Sequence, residues 1–335
     1  MSDTIDIAKV IEKEFGEDIL RSANVVLDEE STVIPLTPAL DIAIGGGVPD
    51  GSNVIFTGQP KCGKTTTSLH FAANCQKKEH GSREVYFMNV EGRLKKRDLE
   101  GIKNLDLDKF HVIGSKQGKI LAAEDYLSIA EKIIATIPYS VVIIDSYSAL
   151  CTANEITSGM DKMQRADGAK LLAKFCRKTA NIIPVNKNIV IGITHLMGNP
   201  TGYGAEFKEK SGQAVAYHVD VKLRARRFSP WEVGGIQIGQ EIEWQVITSA
   251  IGAPGQRVSS FLRYGHGIDE ETELVRIAID ATLIRKAGAW FTLDFVEGDE
   301  KPKFHGVENT RQALIENPKL KTQLYQEIKN FLGLS

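Results

Sequence analysis

The chain has 335 residues, 42 % of them apolar and 25 % charged, enough to bury a large core as one α/β domain with small appendages or as two modest domains. Its 41 basic and 43 acidic residues leave a net charge of −2, which excludes a global positive field, so any nucleic-acid site must be local. The four cysteines, Cys62, Cys75, Cys151 and Cys176, lack metal-site spacing and disulfide-framework density, and neither a signal-peptide pattern nor a membrane-length apolar run is present, so a cytoplasmic protein without a membrane partner is expected.

Residues 3–22 place Ile5, Ala8, Val10, Ile11, Phe15, Ile19 and Leu20 at helical spacing. That face is too short to bury itself and calls for its own core or a neighbouring subunit to cover it. The apolar segment Leu40 to Ile44 runs into Gly45-Gly46-Gly47 and Pro49-Asp50-Gly51, a cluster of turn signals. Short apolar runs then alternate with helical stretches: strand 53–57, loop 58–63, helix 64–77, strand 85–90, helix 121–136, strand 140–145, helix 163–182 and strand 188–194. This rhythm predicts an α/β fold with a mostly parallel central sheet flanked by helices. Alternation at 215–226 and 241–248 extends the sheet with antiparallel members. Residues 269–335 read as a small α+β lobe, with helices near 271–286 and 309–332 around Trp290-Phe291.

Gly58-Gln59-Pro60-Lys61-Cys62-Gly63-Lys64-Thr65 carries the GxxxxGK[ST] spacing between a strand and a helix. The glycines let successive backbone N–H groups curl around the phosphates of ATP, and the helix N-terminus adds its dipole. Lys64 neutralises phosphate charge and the Thr65 hydroxyl can ligate Mg²⁺. Asp145 ends the apolar strand that begins at Ser140, a position from which a carboxylate can hold a metal-bound water. Glu91 and His195 close two further strands, so all these groups reach the carboxyl edge of the sheet, where open α/β folds bind ligands. Glu91 can polarise an attacking water; the plain alternatives are a turn carboxylate beside Gly92 and, for His195, an ordinary hydrogen-bonding residue. Two long loops leave the same edge, Cys151 to Gln164 and Leu196 to Gln213. Their glycines, cations, methionines and aromatics suit either a base-wedging single-strand site or a surface loop with no ligand.

In this order the residues resemble the RecA family of recombinases, with its bacterial and UvsX-type phage members, over nearly the whole chain. The most specific stretches are Leu40-Asp41-Ile42-Ala43-Ile44-Gly45, Val142 to Ser146, Tyr264-Gly265-His266-Gly267-Ile268 and Leu283-Ile284-Arg285-Lys286-Ala287-Gly288-Ala289-Trp290-Phe291. The resemblance implies protomers that form helical filaments on single-stranded DNA, with ATP and Mg²⁺ between neighbours. The filament pairs the bound strand with homologous double-stranded DNA, and single-strand-binding and mediator proteins are expected partners. Carried over by position, Gly58, Gln59, Pro60, Lys61, Cys62, Gly63, Lys64, Thr65 and Thr66 hold the nucleotide, Asp145 supports the metal, and Glu91 is the general base. Tyr264 lies near the nucleotide base, and His195 stands where the family usually has a γ-phosphate-sensing Gln. Met163, Arg165, Lys170 and Arg177 around the first loop become DNA contacts, with Asn199, Tyr203, Phe207, Lys208, Lys210 and Gly212 in the second. Segment 1–35 becomes an N-terminal helix and polymerisation segment, 36–268 the ATPase core with its DNA loops, and 269–335 a small C-terminal domain.

The departures also carry expectations. Asp98 occupies a position that usually offers an aromatic ring to adenine. Thr248 and Ala250 stand where bacterial members place two lysines against a neighbour's γ-phosphate, with Arg257, Arg263 or a monovalent ion as candidate replacements. The P-loop filling, and the ending Phe331-Leu332-Gly333-Leu334-Ser335 in place of an acidic tail, point to a phage or other divergent member in the cytoplasm of a bacterium or an infected host. A hexameric helicase on the same core and an ATP-dependent single-strand-binding scaffold with little turnover are the alternative readings.

Overall fold

The fold is that of a computed structural model, which describes residues 6–27, 32–159, 167–198, 207–209, 215 and 218–334. Residues up to Thr32 form a unit of their own, and Val33 to the C-terminus forms the second.

The first unit holds α1 (Ile7–Phe15) and α2 (Ala23–Leu27), neither with a buried residue. The helix expected over 3–22 stops at Gly16, whose φ of 106° ends the helical path and whose N–H donates to the Glu12 carbonyl.

The second unit begins with a small antiparallel pair, β1 (Val33–Ile34) and β2 (Val48–Pro49), flanking α3 (Pro38–Ile44). The apolar segment Leu40 to Ile44 is thus helical, because the Thr37 hydroxyl accepts from the Leu40 N–H, Pro38 fills the first turn and Gly45 closes it in the left-handed region. Then come β3 (Asn53–Gly58), α4 (Lys64–Cys75), β4 (Val85–Asn89), α5 (Lys96–Glu100), β5 (Phe110–Ile113), α6 (Ala123–Thr136) and β6 (Val141–Asp145). They are followed by α7 (Ala153–Thr157), α8 (Asp167–Thr179), α9 (Ile182–Val185), β7 (Ile189–Gly198), β8 (Phe207–Glu209), β9 (Val221–Val233), β10 (Ile236–Thr248), β11 (Arg257–Arg263) and β12 (Gly267–Ile268).

Among the described residues the main sheet runs β12-β11-β10-β9-β3-β7-β6-β4-β5, parallel from β9 to β5 and antiparallel from β9 to β12, with β8 folding back on the end of β7. Period-two alternation divides the side chains of β6 between two cores: Val141 and Ile143 join Phe56, Phe71, Phe87 and Trp244 beneath α3 and α4, while Val142 and Ile144 join Tyr126, Leu127, Phe175 and Ile183 beneath α6 and α8. The mostly parallel sheet flanked by helices is the architecture expected. The strands expected at 215–226 and 241–248 extend the sheet with antiparallel members as expected, and are the two arms of one long hairpin, Val221 to Thr248, turning at Gly234-Gly235. No helix among the described residues is long and apolar enough to cross a membrane.

The chain ends in α10 (Glu270–Asp280), the three-stranded sheet β13 (Ile284–Ala287), β14 (Trp290–Leu293) and β15 (Lys303–His305), then α11 (Gly306–Glu316) and α12 (Pro318–Leu332). They enclose a third core containing Leu274, Val275, Phe291, Leu314, Leu324 and Ile328. The helix expected over 271–286 is corrected here: it ends at Asp280, Thr282 takes a φ of 60°, and Ile284 to Ala287 pairs with Trp290 to Leu293. The helix expected over 309–332 is two helices, because Pro318 disfavours helical backbone at Asn317 and starts a new helix.

Candidate functional site

The register puts the candidate residues on one edge. Gly58 at the end of β3 pairs with His195 on β7, and Asn89 at the end of β4 pairs with Asp145 on β6. Beyond β4, the N–H groups of Val90 and Glu91 both donate to the Asp145 carbonyl, at 3.0 and 3.2 Å, so the turn carrying Glu91 is fastened to the strand carrying Asp145. The Asp145–Ser146 peptide is cis.

The P-loop joins β3 to α4 through Gly63, at φ 82°. A Cβ there would stand 2.5 Å from Ile242 Cδ1, so only glycine suits both the backbone and the packing. Lys64 is buried, and its ammonium donates to the loop carbonyls of Gly58 at 3.0 Å and Gln59 at 2.7 Å. The ammonium is therefore held inside the loop that would wrap the phosphates. Thr65 Oγ1 donates to Asp145 Oδ2 at 2.8 Å. Burial pushes the Asp145 carboxyl above its ordinary value, and the nearby Glu91 charge acts in the same direction against the Thr65 hydrogen bond.

Glu91 Oε1 accepts from His195 Nε2 and from Ser146 Oγ, each at 2.7 Å. The His195 hydrogen bond, reinforced by Ser146 and opposed by burial, lowers the Glu91 pKa to about 2. An ionised carboxylate only accepts, so Nε2 carries the ring proton in this contact. His195 Nδ1 is buried with no hydrogen-bond partner among the described residues, while the His195 backbone N–H donates to Ser148 Oγ at 2.8 Å. Glu91 Oε2 is left facing Arg93, whose Nη1 lies 3.8 Å away. Sequence reasoning gave no role to Ser146, Ser148 or Arg93; the first two sit in the turn after the apolar strand, a signal available only once the strand edges are aligned.

Lys64, Thr65, Glu91, Arg93, Asp145 and His195 line a cleft of ≈ 680 Å³ together with Leu69, Arg97, Asp98, Ile102, Gln240, Arg263 and Tyr264. The Tyr264 hydroxyl accepts from Gln237 Nε2 at 2.9 Å. Asp98 lines the cleft too, and its Oδ2 accepts from the Lys95 N–H at 2.9 Å, capping α5. Arg263 is tied to Asp269 at 2.7 Å and to Glu308 at 3.2 Å, with its guanidinium 4.7 Å from the Trp231 ring centroid. Arg257 lines a separate cleft with Phe331 and Leu332. Thr248 ends β10 and Ala250 is exposed just beyond it.

Of the expected DNA contacts, Met163, Arg165, Asn199, Tyr203, Lys210 and Gly212 lie outside the described residues. Phe207 and Lys208 fall on β8, opposite Gly198 and Met197 of β7 in an antiparallel pair. Lys170 and Arg177 are exposed on α8 and seven residues apart, hence on one face, with exposed Lys174 between them. The opposite face, Leu172, Phe175, Cys176 and Thr179, is buried. Lys174 is a third cation on this stripe that the sequence reading did not single out.

A family model described as the RecA N-terminal domain matches residues 4–269. The chain is 30 % identical over 327 residues to Protein RecA of Streptomyces coelicolor, covering 97 % of this chain and 84 % of that protein. Protein RecA of a Nocardioides species is also 30 % identical over 327 residues, covering 97 % and 89 %. Protein RecA of Thermotoga petrophila is 28 % identical over 334 residues, covering 97 % and 90 %.

Proposed function

Because this chain belongs to the RecA family, we propose that the sheet edge carrying Lys64, Thr65, Glu91, Asp145 and His195 is the hydrolytic centre of its ATPase. The protein is a DNA-dependent ATPase that forms filaments on single-stranded DNA and catalyses homologous pairing and strand exchange in recombination and repair. The observation that carries the assignment of residues is the Glu91 contact set: one carboxylate oxygen is fixed by His195 and Ser146, the other is left to Arg93, and Glu91 lines the cleft with the P-loop.

The family uses ATP with a divalent metal. Thr65 Oγ1 and Asp145 Oδ2 are hard oxygen donors beside the start of α4, a set that fits Mg²⁺, which keeps several waters and takes other ligands from phosphate. Held by these two residues, Mg²⁺ would supply positive charge to offset that of the triphosphate. Lys64 leaves the carbonyls of Gly58 and Gln59 for phosphate oxygens, and the backbone N–H groups from Lys61 to Thr66 cradle the rest. Glu91 Oε2 takes a proton from the attacking water. The water oxygen bonds to the γ-phosphorus as the phosphorus bond to the bridging oxygen breaks, and that electron pair stays on ADP. His195, on β7 across β6 from the strand that leads to Glu91, holds Glu91 in place, and β7 runs on into the second loop, which gives the phosphate site a covalent path to that loop.

Tyr264 and Asp98 bound the base end of the cleft. The stripe Lys170, Lys174 and Arg177, with the two loops, forms the single-strand contact. The exposed apolar residues Ile7, Val10, Phe15, Ile19 and Leu20 support reading segment 1–35 as the polymerisation arm for a neighbouring protomer, beside a core of 36–268 and a terminal lobe of 269–335. A phage or bacterial source, a cytoplasmic setting, and loading by single-strand-binding and mediator proteins complete the proposal. Turnover of ATP measured with and without single-stranded DNA, alongside electron micrographs, tests it. DNA-stimulated turnover with open helical filaments supports the reading, whereas closed rings or DNA-independent turnover overturn it.

A further inference from the structure

With Thr248 and Ala250 at the end of β10, two positions that could reach a neighbour's phosphates carry no charge. Charge spreading over the γ-phosphoryl oxygens still needs a cation besides the P-loop lysine. Neither Arg257 nor Arg263 is well placed to supply it from its own chain. Arg263 is anchored to Asp269 and Glu308, and Arg257 lines another cleft.

Arg93 differs from both. It lines the cleft with Lys64, Thr65, Glu91 and His195, its side chain is 83 % exposed, and it makes a long 3.8 Å approach to Glu91 Oε2. Its backbone N–H is fixed by Asn89 Oδ1 at 3.1 Å, at the end of β4, so the base of the side chain is held while the guanidinium can swing. The oxygen it faces is the one that His195 and Ser146 leave open. A water within hydrogen-bond reach of Oε2 and in line with the γ-phosphorus brings the phosphoryl oxygens within reach of the same guanidinium. Arg97, the next arginine along the cleft, lies beside Asp98 at its base end.

We propose that Arg93 acts as an arginine finger in cis: on ATP binding its guanidinium moves from Glu91 to the γ-phosphoryl oxygens and stabilises the charge that develops as the phosphorus–bridging-oxygen bond breaks. This rests on the assignment of the hydrolytic centre above. The move also frees Glu91 Oε2 for its proton.

The test compares the wild-type chain with Arg93→Ala and Arg93→Lys on single-stranded DNA, after thermal melts confirm that all are folded. Arg93→Ala is expected to lower kcat by about 10²-fold or more, against about 10³–10⁵ for arginine fingers in general, with KM for ATP and DNA binding little changed. It is also expected to weaken binding of ADP–aluminium fluoride, a mimic of the transferring phosphoryl group, far more than binding of ADP. Filaments mixing Arg93→Ala with Lys64→Ala protomers should stay inactive, because each site lacks a group from its own chain. Unchanged kcat, equal losses for both ligands, or recovery in the mixed filaments overturns the proposal. A wild-type chain without DNA-stimulated turnover instead sinks the functional reading, and the ligand contrast still decides on Arg93.

Discussion

His195 Nε2 lies 2.7 Å from Glu91 Oε1, joining the ends of two strands that are not neighbours in the sheet, since β6 runs between β7 and β4. Both residues line the cleft, and the contact favours the ionised carboxylate, with the Glu91 pKa lowered to about 2 from 4.5. Because the folded value is depressed, the stabilisation is fully present above about 4.5 and fades as pH falls toward 2. His195→Ala removes the largest cause of that shift. The acid limb of the ATPase pH profile is expected to move to higher pH, while Glu91→Gln lowers kcat by about 10²–10⁴-fold and leaves nucleotide binding intact. Steady-state phosphate release across pH 4 to 8, paired with equilibrium binding of a fluorescent ATP analogue, checks both.

Lys64→Ala acts on binding as well as chemistry. The ammonium is buried and held by the carbonyls of Gly58 and Gln59, so its loss unfastens the loop and removes a phosphate partner. Nucleotide affinity should fall by at least about tenfold, from the roughly 1.5–3 kcal/mol typical of a hydrogen bond to a charged group. Calorimetric titration with ATP reads this directly, and wild-type affinity in the variant would refute it.

Gly192 is a remote lever on the same site. It lies in β7, and a Cβ there would stand 2.0 Å from a Tyr147 ring carbon. Tyr147 is itself buried, in the turn that carries Asp145, Ser146 and Ser148. Gly192→Ala must displace that ring, at a typical overpacking cost of about 1–3 kcal/mol, and move the catalytic turn with it. A Tm reduced by a few degrees together with lowered kcat is expected; full activity would show that the turn tolerates the shift.

Glu273 ties α10 to the core. Its carboxylate accepts from the Ala39 N–H at 3.0 Å and from Ser260 Oγ, and burial raises its pKa to about 7 from 4.5. A raised folded pKa means that the contribution is fully present below about 4.5 and is lost as pH rises through about 7. Glu273→Gln keeps an acceptor for Ala39 without an ionising group. The variant should therefore lose less stability than the wild type between pH 5.5 and 8, measured by thermal melts at the two values; parallel losses would count against it.

The parallel strands and the P-loop were legible because their signals are local. Apolar runs such as Val141 to Ile144 are buried on both faces and need no knowledge of their neighbours, and the P-loop glycines serve a backbone path written in consecutive residues. The outer half of the β9–β10 hairpin was not legible. Its distal residues, from Arg226 to Gln237, are largely exposed and lack clean alternation. The 271–286 helix overreaches for a related reason: Ile284 is apolar and seven residues from Ile277, a helical interval, and its pairing with Leu293 is settled across a turn.

What the sequence by itself determined is which chemistry is available: a phosphate loop, carboxylates at strand ends and a histidine on a third strand, each the product of local spacing. Only the tertiary structure decided which atoms meet. Strand register brings His195 and Ser146 to one oxygen of Glu91 and leaves Arg93 beside the other. Contacts between groups tens of residues apart follow from sheet order and backbone register, which no local pattern encodes.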